Sequence, residues 1–102
     1  MVQSDFIDKT FTLATGVTFK VLGIDLYPPD KVSKKYKEIL DFGPNQVAAV
    51  KYRTTLIPNI TAVGGVARLT KIEVNGQTFS KPKAISAALN ILEPMEPIPL
   101  VL

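Results

Sequence analysis

The 102 residues predict an α+β domain in which two helices pack on a mostly antiparallel sheet of four to five strands. The predicted order is β-β-α-β-β-α, followed by an extended C-terminal tail. Three observations lead there. Apolar and polar residues alternate with period two through 7–14, 17–22, 46–57 and 66–74. Helical spacing replaces alternation at Val32, Tyr36, Ile39 and Leu40, and again at Ile85, Ala88, Leu89 and Leu92. Glycine and proline punctuate the joints, at Gly16, Pro28-Pro29, Gly43-Pro44, Gly64-Gly65, Asn75-Gly76 and Pro94.

Taken in order, Phe11 and Leu13 face Thr10 and Thr12, and Val17, Phe19 and Val21 face Thr18 and Lys20. Thr15-Gly16 links the two runs as a hairpin. The apolar parity then switches to Leu22, Ile24 and Leu26, so Gly23 marks a bulge. Tyr27-Pro28-Pro29-Asp30 stops this strand and opens a helix through Leu40, since proline suits a first helical turn and Asp30 complements the dipole. Gly43-Pro44 ends it.

Residues 46–57 read as one long strand, Pro58-Asn59 as a turn, and 60–63 as a short strand before Gly64-Gly65. The strand over 66–74 changes parity after Leu69, which predicts an irregularity. Asn75-Gly76 turns it back through Gln77-Thr78-Phe79. Ser80 is placed to cap a second helix over 81–92, and Pro94 stops it. The domain is thus drawn as 1–93, with 94–102 a proline-spaced arm of polyproline II character.

Composition narrows function. Hydrophobic residues make up 46% and charged residues 21%, a balance that suits a folded domain. The chain has no Cys and no His. That removes thiolate catalysis, disulfides, Cys-based zinc sites, His-dependent triads and the commonest general base. No cofactor or metal is expected. Asp25, Asp30 and Asp41 flank the first helix, but their spacing matches no Ca²⁺ loop. Nothing at the N-terminus resembles a signal peptide and no stretch suits a membrane span, so the expectation is a soluble chain made in the cytoplasm.

Two features suggest contacts. Twelve Lys+Arg against nine Asp+Glu leave a net charge of +3, and no acidic residue falls between Asp41 and Glu73. Lys51, Arg53, Arg68 and Lys71 lie in that interval, with Lys34 and Lys35 on the first helix. Pairing of the two flanking strands would gather them on one basic sheet face, as single-stranded DNA or RNA binders require. Such binders also need stacking aromatics, and Tyr52 is the only one between Phe42 and Phe79, with a parity opposite Lys51 and Arg53. The solvated face of an ordinary sheet is the plainer reading of these charges.

The tail, ILEPMEPIPLVL, carries Met95, Ile98, Leu100, Val101 and Leu102 beyond any helix. Apolar side chains of this size must be buried somewhere, each gaining about 1.5–3 kcal/mol. They either cover the protein's own sheet or dock on a neighbouring subunit. Prolines pre-extend the segment and remove backbone donors, which favours the neighbour and argues against a place in a central strand. The leading expectation is a non-enzymatic assembly module, a subunit of a viral particle or other multi-subunit assembly. It would contact copies of itself through strand edges and this arm. The alternative is a small nucleic-acid-binding protein using the basic sheet face.

Overall fold

Phe11 and Phe19 meet across the first hairpin, as the alternation requires. A computed structural model, which describes residues 1–102, pairs β1 (Thr10–Leu13) antiparallel with β2 (Thr18–Tyr27) in the register Thr12↔Thr18, Phe11↔Phe19. The two aromatic rings lie 5.8 Å apart on one face, and the Thr12 and Thr18 hydroxyls hydrogen-bond at 3.0 Å on the other.

β2 is ten residues long and serves two neighbours in succession. Thr18–Lys20 pair with β1, and Lys20–Tyr27 pair with β5 (Gly65–Val74). The register slips between Val21 and Ile24, where Gly23 was expected to mark a bulge. A Cβ there would stand 2.7 Å from Thr70 Oγ1, so glycine lets the strands approach closely.

The expected helix from Pro28 to Leu40 is split. Pro29–Lys31 make one 3₁₀ turn, Val32 is extended, and α1 (Lys34–Leu40) starts after Ser33. Its apolar stripe still points inward. Ile39 is fully buried against Ala48, Val50 and Val66, with Tyr36 and Leu40 at the margin.

The strand expected over 46–57 is two strands. β3 (Gln46–Tyr52) turns at Arg53-Thr54 into β4 (Thr55–Ala62), with Arg53 at a φ of 57°. Pro58-Asn59, read from sequence as a turn, lies mid-strand opposite Ala49 and Ala48. β4 meets β5 only from Asn59 onward, so Pro58 stands where the second ladder has not begun. Over 55–58, α2 (Pro82–Ala88) covers that open edge, and Ser86 Oγ donates to the Leu56 carbonyl at 3.1 Å. α2 is shorter than expected. Lys81, not Ser80, holds the cap position, and Leu92 points to solvent because the chain leaves the helix before it, with Asn90 at a φ of 57°. β6 (Gln77–Phe79) returns along β5 after the Asn75-Gly76 turn.

The largest correction concerns the tail. β7 (Ile98–Val101) inserts between β1 and β3, pairing antiparallel with both. Through the sequence β1-β2-β5-β4-β3-β7 the sheet closes on itself, so six of its seven strands form an antiparallel barrel and β6 is an appendage. The fold is α+β as expected, but the sheet is neither open nor limited to four or five strands. Pro99 is compatible with this position at the cost of one bond. Its carbonyl accepts from Ala14 N at 2.8 Å, and only the reciprocal N–H is lost. The other edge is served by Leu100 N, which donates to the Asn45 carbonyl at 2.9 Å.

Leu13, Phe19, Val21, Val47, Ile60, Leu69, Ile72 and Leu100 fill the barrel, together with Ile85 of α2 and Leu89 at its C-terminal cap. α1 packs on the outside, over β3, β4 and β5. No helix is long and apolar enough to cross a membrane.

Candidate functional site: a basic, tyrosine-lined groove beside the first helix

α1 covers only part of the outer barrel wall, and the uncovered strip beside it is where side-chain chemistry concentrates. Arg68 is central. It lies on β5 between Asp25 of β2 and Asn59 of β4. Its parity is opposite to that of the buried Ala67 and Leu69, so its side chain leaves the barrel on the helix side. There it pairs with the Asp25 carboxylate, and its guanidinium lies 5.6 Å from the centre of the Tyr27 ring. Tyr27 in turn stands 6.2 Å from Tyr36 of α1, with the rings inclined at 32°. The hydrogen bond to Asp25 holds the Arg68 guanidinium even more firmly protonated than usual.

Two recesses open on either side of this arginine. One, of about 220 Å³, is walled by Tyr27, Lys31, Tyr36 and Arg68. The other, of about 270 Å³, is walled by Lys35, Tyr36, Lys51, Tyr52 and Arg68 over a floor of Val50 and Ile57. Ser33, Tyr36 and Arg68 belong to both, so the two recesses adjoin across these side chains and together make up the groove beside α1. All three tyrosines of the chain line it, with four cations and no carboxylate. Lys35 Nζ donates to the Lys51 carbonyl at 3.2 Å, tying α1 to the end of β3. Beneath the helix, Asn59 is fully buried. Its Nδ2 donates to the Ile57 and Ala48 carbonyls, and its Oδ1 has no donor.

No family model matches the chain, and no curated protein or solved structure is similar to it.

The sequence-predicted basic residues therefore divide. Lys35, Lys51 and Arg68 meet at the groove. Arg53 stands next to it, its guanidinium 5.6 Å from the centre of the Tyr52 ring. Tyr52 and Lys51, expected on opposite faces, line the same recess because they sit at the last positions of β3, where the chain is already turning. Lys34 is exposed on α1 and lines neither recess, and Lys71 lies farther along β5, opposite Gly23. Nothing in the sequence singles out Tyr27, Tyr36 or Ser33 as a site residue. Tyr36 was assigned to the helix's buried stripe, and Tyr27 was treated only as the end of a strand. Their convergence depends on α1 lying across β5, which no local pattern announces.

The five apolar residues of the tail also divide. Leu100 is 7% exposed inside the barrel, and Ile98 is half-buried against the same core. Met95 packs against the α1 cluster, and its N–H donates to the Ala49 carbonyl at 2.9 Å. Val101 and Leu102 remain exposed, at 60% and 89%.

Burial pushes the Tyr36 hydroxyl above its ordinary range, while the positive charge of Arg68 pulls it back. The unfolded chain then loses this proton first. The stability that neutral Tyr36 contributes is complete below about pH 10 and is lost as pH rises through the folded-state value. Tyr36→Phe is expected to flatten the fall in stability above about pH 10. Denaturant midpoints of both proteins at about pH 8 and pH 11 check this. Parallel declines would separate Tyr36 from the alkaline limb.

Proposed function

We propose that this chain is a non-enzymatic module that binds single-stranded nucleic acid in the groove beside α1. One observation carries the reading: every tyrosine of the chain lines two adjoining recesses together with four cations, of which only Arg68 is paired with a carboxylate, Asp25, outside the lining. Single strands present unpaired bases and a regular row of phosphates. A sequence-tolerant site for them combines aromatic stacking surfaces with a cationic track. Tyr27, Tyr36 and Tyr52 supply the surfaces. Lys31, Lys35, Lys51 and Arg68 supply the track, and Arg53 extends it past Tyr52. A duplex, with its bases stacked inside, has no use for the tyrosines.

Fluorescence-anisotropy titration of labelled dT and U oligonucleotides is the test. Binding is expected at low salt and should weaken steeply as salt rises, with a logarithmic slope near −3 for about four phosphate contacts. Tyr52→Ala should weaken binding about 5- to 150-fold, the range for loss of one stacked base at about 1–3 kcal/mol. No association at low salt with either oligonucleotide would sink the proposal.

The assembly reading keeps one supporting observation, the exposure of Val101 and Leu102 on the barrel exterior. Three of its five proposed anchors lie instead against the protein's own core. If a contact between copies uses the remaining two, solution mass should rise with concentration in the parent chain and stay constant in Val101→Ser/Leu102→Ser.

A further inference from the structure

We infer that Asp25 competes with a backbone phosphate for Arg68, and that the groove takes two consecutive nucleotides with their linking phosphate at that arginine. This rests on the nucleic-acid reading above and specifies how the strand lies.

Arg68 is the only cation that walls both recesses. Each recess has its own aromatic wall, Tyr27 with Tyr36 in one and Tyr52 with Tyr36 in the other. At about 220 and 270 Å³, each is smaller than the ~300–1,000 Å³ of sites that enclose a whole drug-sized ligand. Each suits a single planar ring system. Two bases held in adjacent recesses place the phosphodiester between them, at the shared arginine.

In the structure Arg68 already has an anion, Asp25, which lines neither recess and reaches the arginine from the margin of the groove. Asp25 Oδ2 accepts from a terminal nitrogen of Arg68, and the two side chains are 47% and 35% exposed. An ion pair this open to water is weak and exchangeable. The Asp25 contact uses one carboxylate oxygen, whereas a phosphate can offer the guanidinium two oxygens and more charge. Asp25 therefore keeps Arg68 neutralised until a strand arrives, then yields to it. It lowers affinity for any polyanion.

The experiment titrates (dT)12 into the parent chain, Asp25→Asn, Asp25→Ser, Arg68→Ala and Asp25→Asn/Arg68→Ala. Asp30→Asn serves as the control, with the same charge change on a carboxylate for which no ion pair is found. Denaturant melts confirm that each variant is folded. Both Asp25 variants are expected to bind roughly two- to fivefold more tightly than the parent, the range for release of one exposed ion pair. Asp30→Asn should gain less than either, and the Asp25 gain should vanish when Arg68 is alanine. A mononucleotide should compete for the groove far less well than the dinucleotide TpT. Parent binding with no gain specific to Asp25, or a gain that survives loss of Arg68, overturns the displacement and leaves nucleic-acid binding standing. Failure of the parent and every variant to bind overturns both.

Discussion

A chain ending at Glu93 is expected to show no cooperative melting transition. The deletion removes β7, and with it the only strand joining β1 to β3. Besides the ladder pairing of β7 with β1 and β3, backbone bonds from Ala14 N to Pro99, from Leu100 N to Asn45 and from Met95 N to Ala49 are lost. Each is worth about 0.5–1.5 kcal/mol net. Leu100 leaves the barrel interior, a loss of about 2–5 kcal/mol even for truncation to alanine. Leu13 and Val47, both fully buried, then face water along an open seam. The sum is on the order of 5–10 kcal/mol, comparable to the whole stability of a domain this size. Far-UV circular dichroism against temperature, with dye binding to exposed apolar surface, reads the result. Leu100→Ala should lower stability by about 2–5 kcal/mol while keeping a transition. Val101→Ser and Leu102→Ser, which touch solvent, should leave the midpoint almost unchanged. A Glu93-terminated chain that melts like its parent would mean that β7 does not close the barrel.

Gly65→Ala should be nearly as damaging, although it adds one carbon. Gly65 opens β5 at a φ of +135°, and a Cβ there would sit 2.2 Å from the Tyr27 carbonyl oxygen and 3.0 Å from Pro28 Cα. Both obstacles are backbone, so no rotamer relieves them. Strain at such a φ costs about 1–3 kcal/mol and forced overpacking about as much again, giving roughly 2–6 kcal/mol together. Gly16→Ala is the informative comparison. Its φ is +98°, but nothing lies within 4 Å, so it should bear the strain alone. Urea denaturation of the two variants separates the terms. Equal losses would show that the approach of Tyr27 to β5 is not a constraint. Because Tyr27 walls the groove, Gly65→Ala should also weaken oligonucleotide binding in whatever fraction remains folded.

Local chemistry was legible where neighbours in sequence settle the outcome. The hairpin at Thr15-Gly16, the bulge at Gly23 and the turn at Asn75-Gly76 all follow from residues within reach of one another. Errors arose where a local signal was overruled from a distance. Pro58-Asn59 has turn chemistry, yet it lies in a strand because Ala48 and Ala49 pair with it and Asn59 is held beneath α1. The prolines of the tail argue against a central strand, but only Pro99 falls within β7, and it forfeits a single bond. Half of the groove was visible as an acid-free run of cations containing Lys51, Arg53 and Arg68. The tyrosine half was not, because Tyr27 and Tyr36 come from a strand and a helix that meet only in the folded chain.

The sequence by itself determined the α+β class, the alternation that forms β1, β2 and β5, the inward faces of the two helices apart from Leu92, and the absence of His and Cys chemistry. These depend on residue type and on periods of two and 3.6, both of which are properties of the chain alone. Only the tertiary structure decided that the sheet closes, that residues 98–101 close it, and that three tyrosines and four cations share one groove. Closure depends on which strand edges remain unpaired once the other strands have assembled. The edges of β1 and β3 are far apart in sequence, and a single exposed-looking segment of apolar residues satisfies both only when the barrel brings them to the width of one strand.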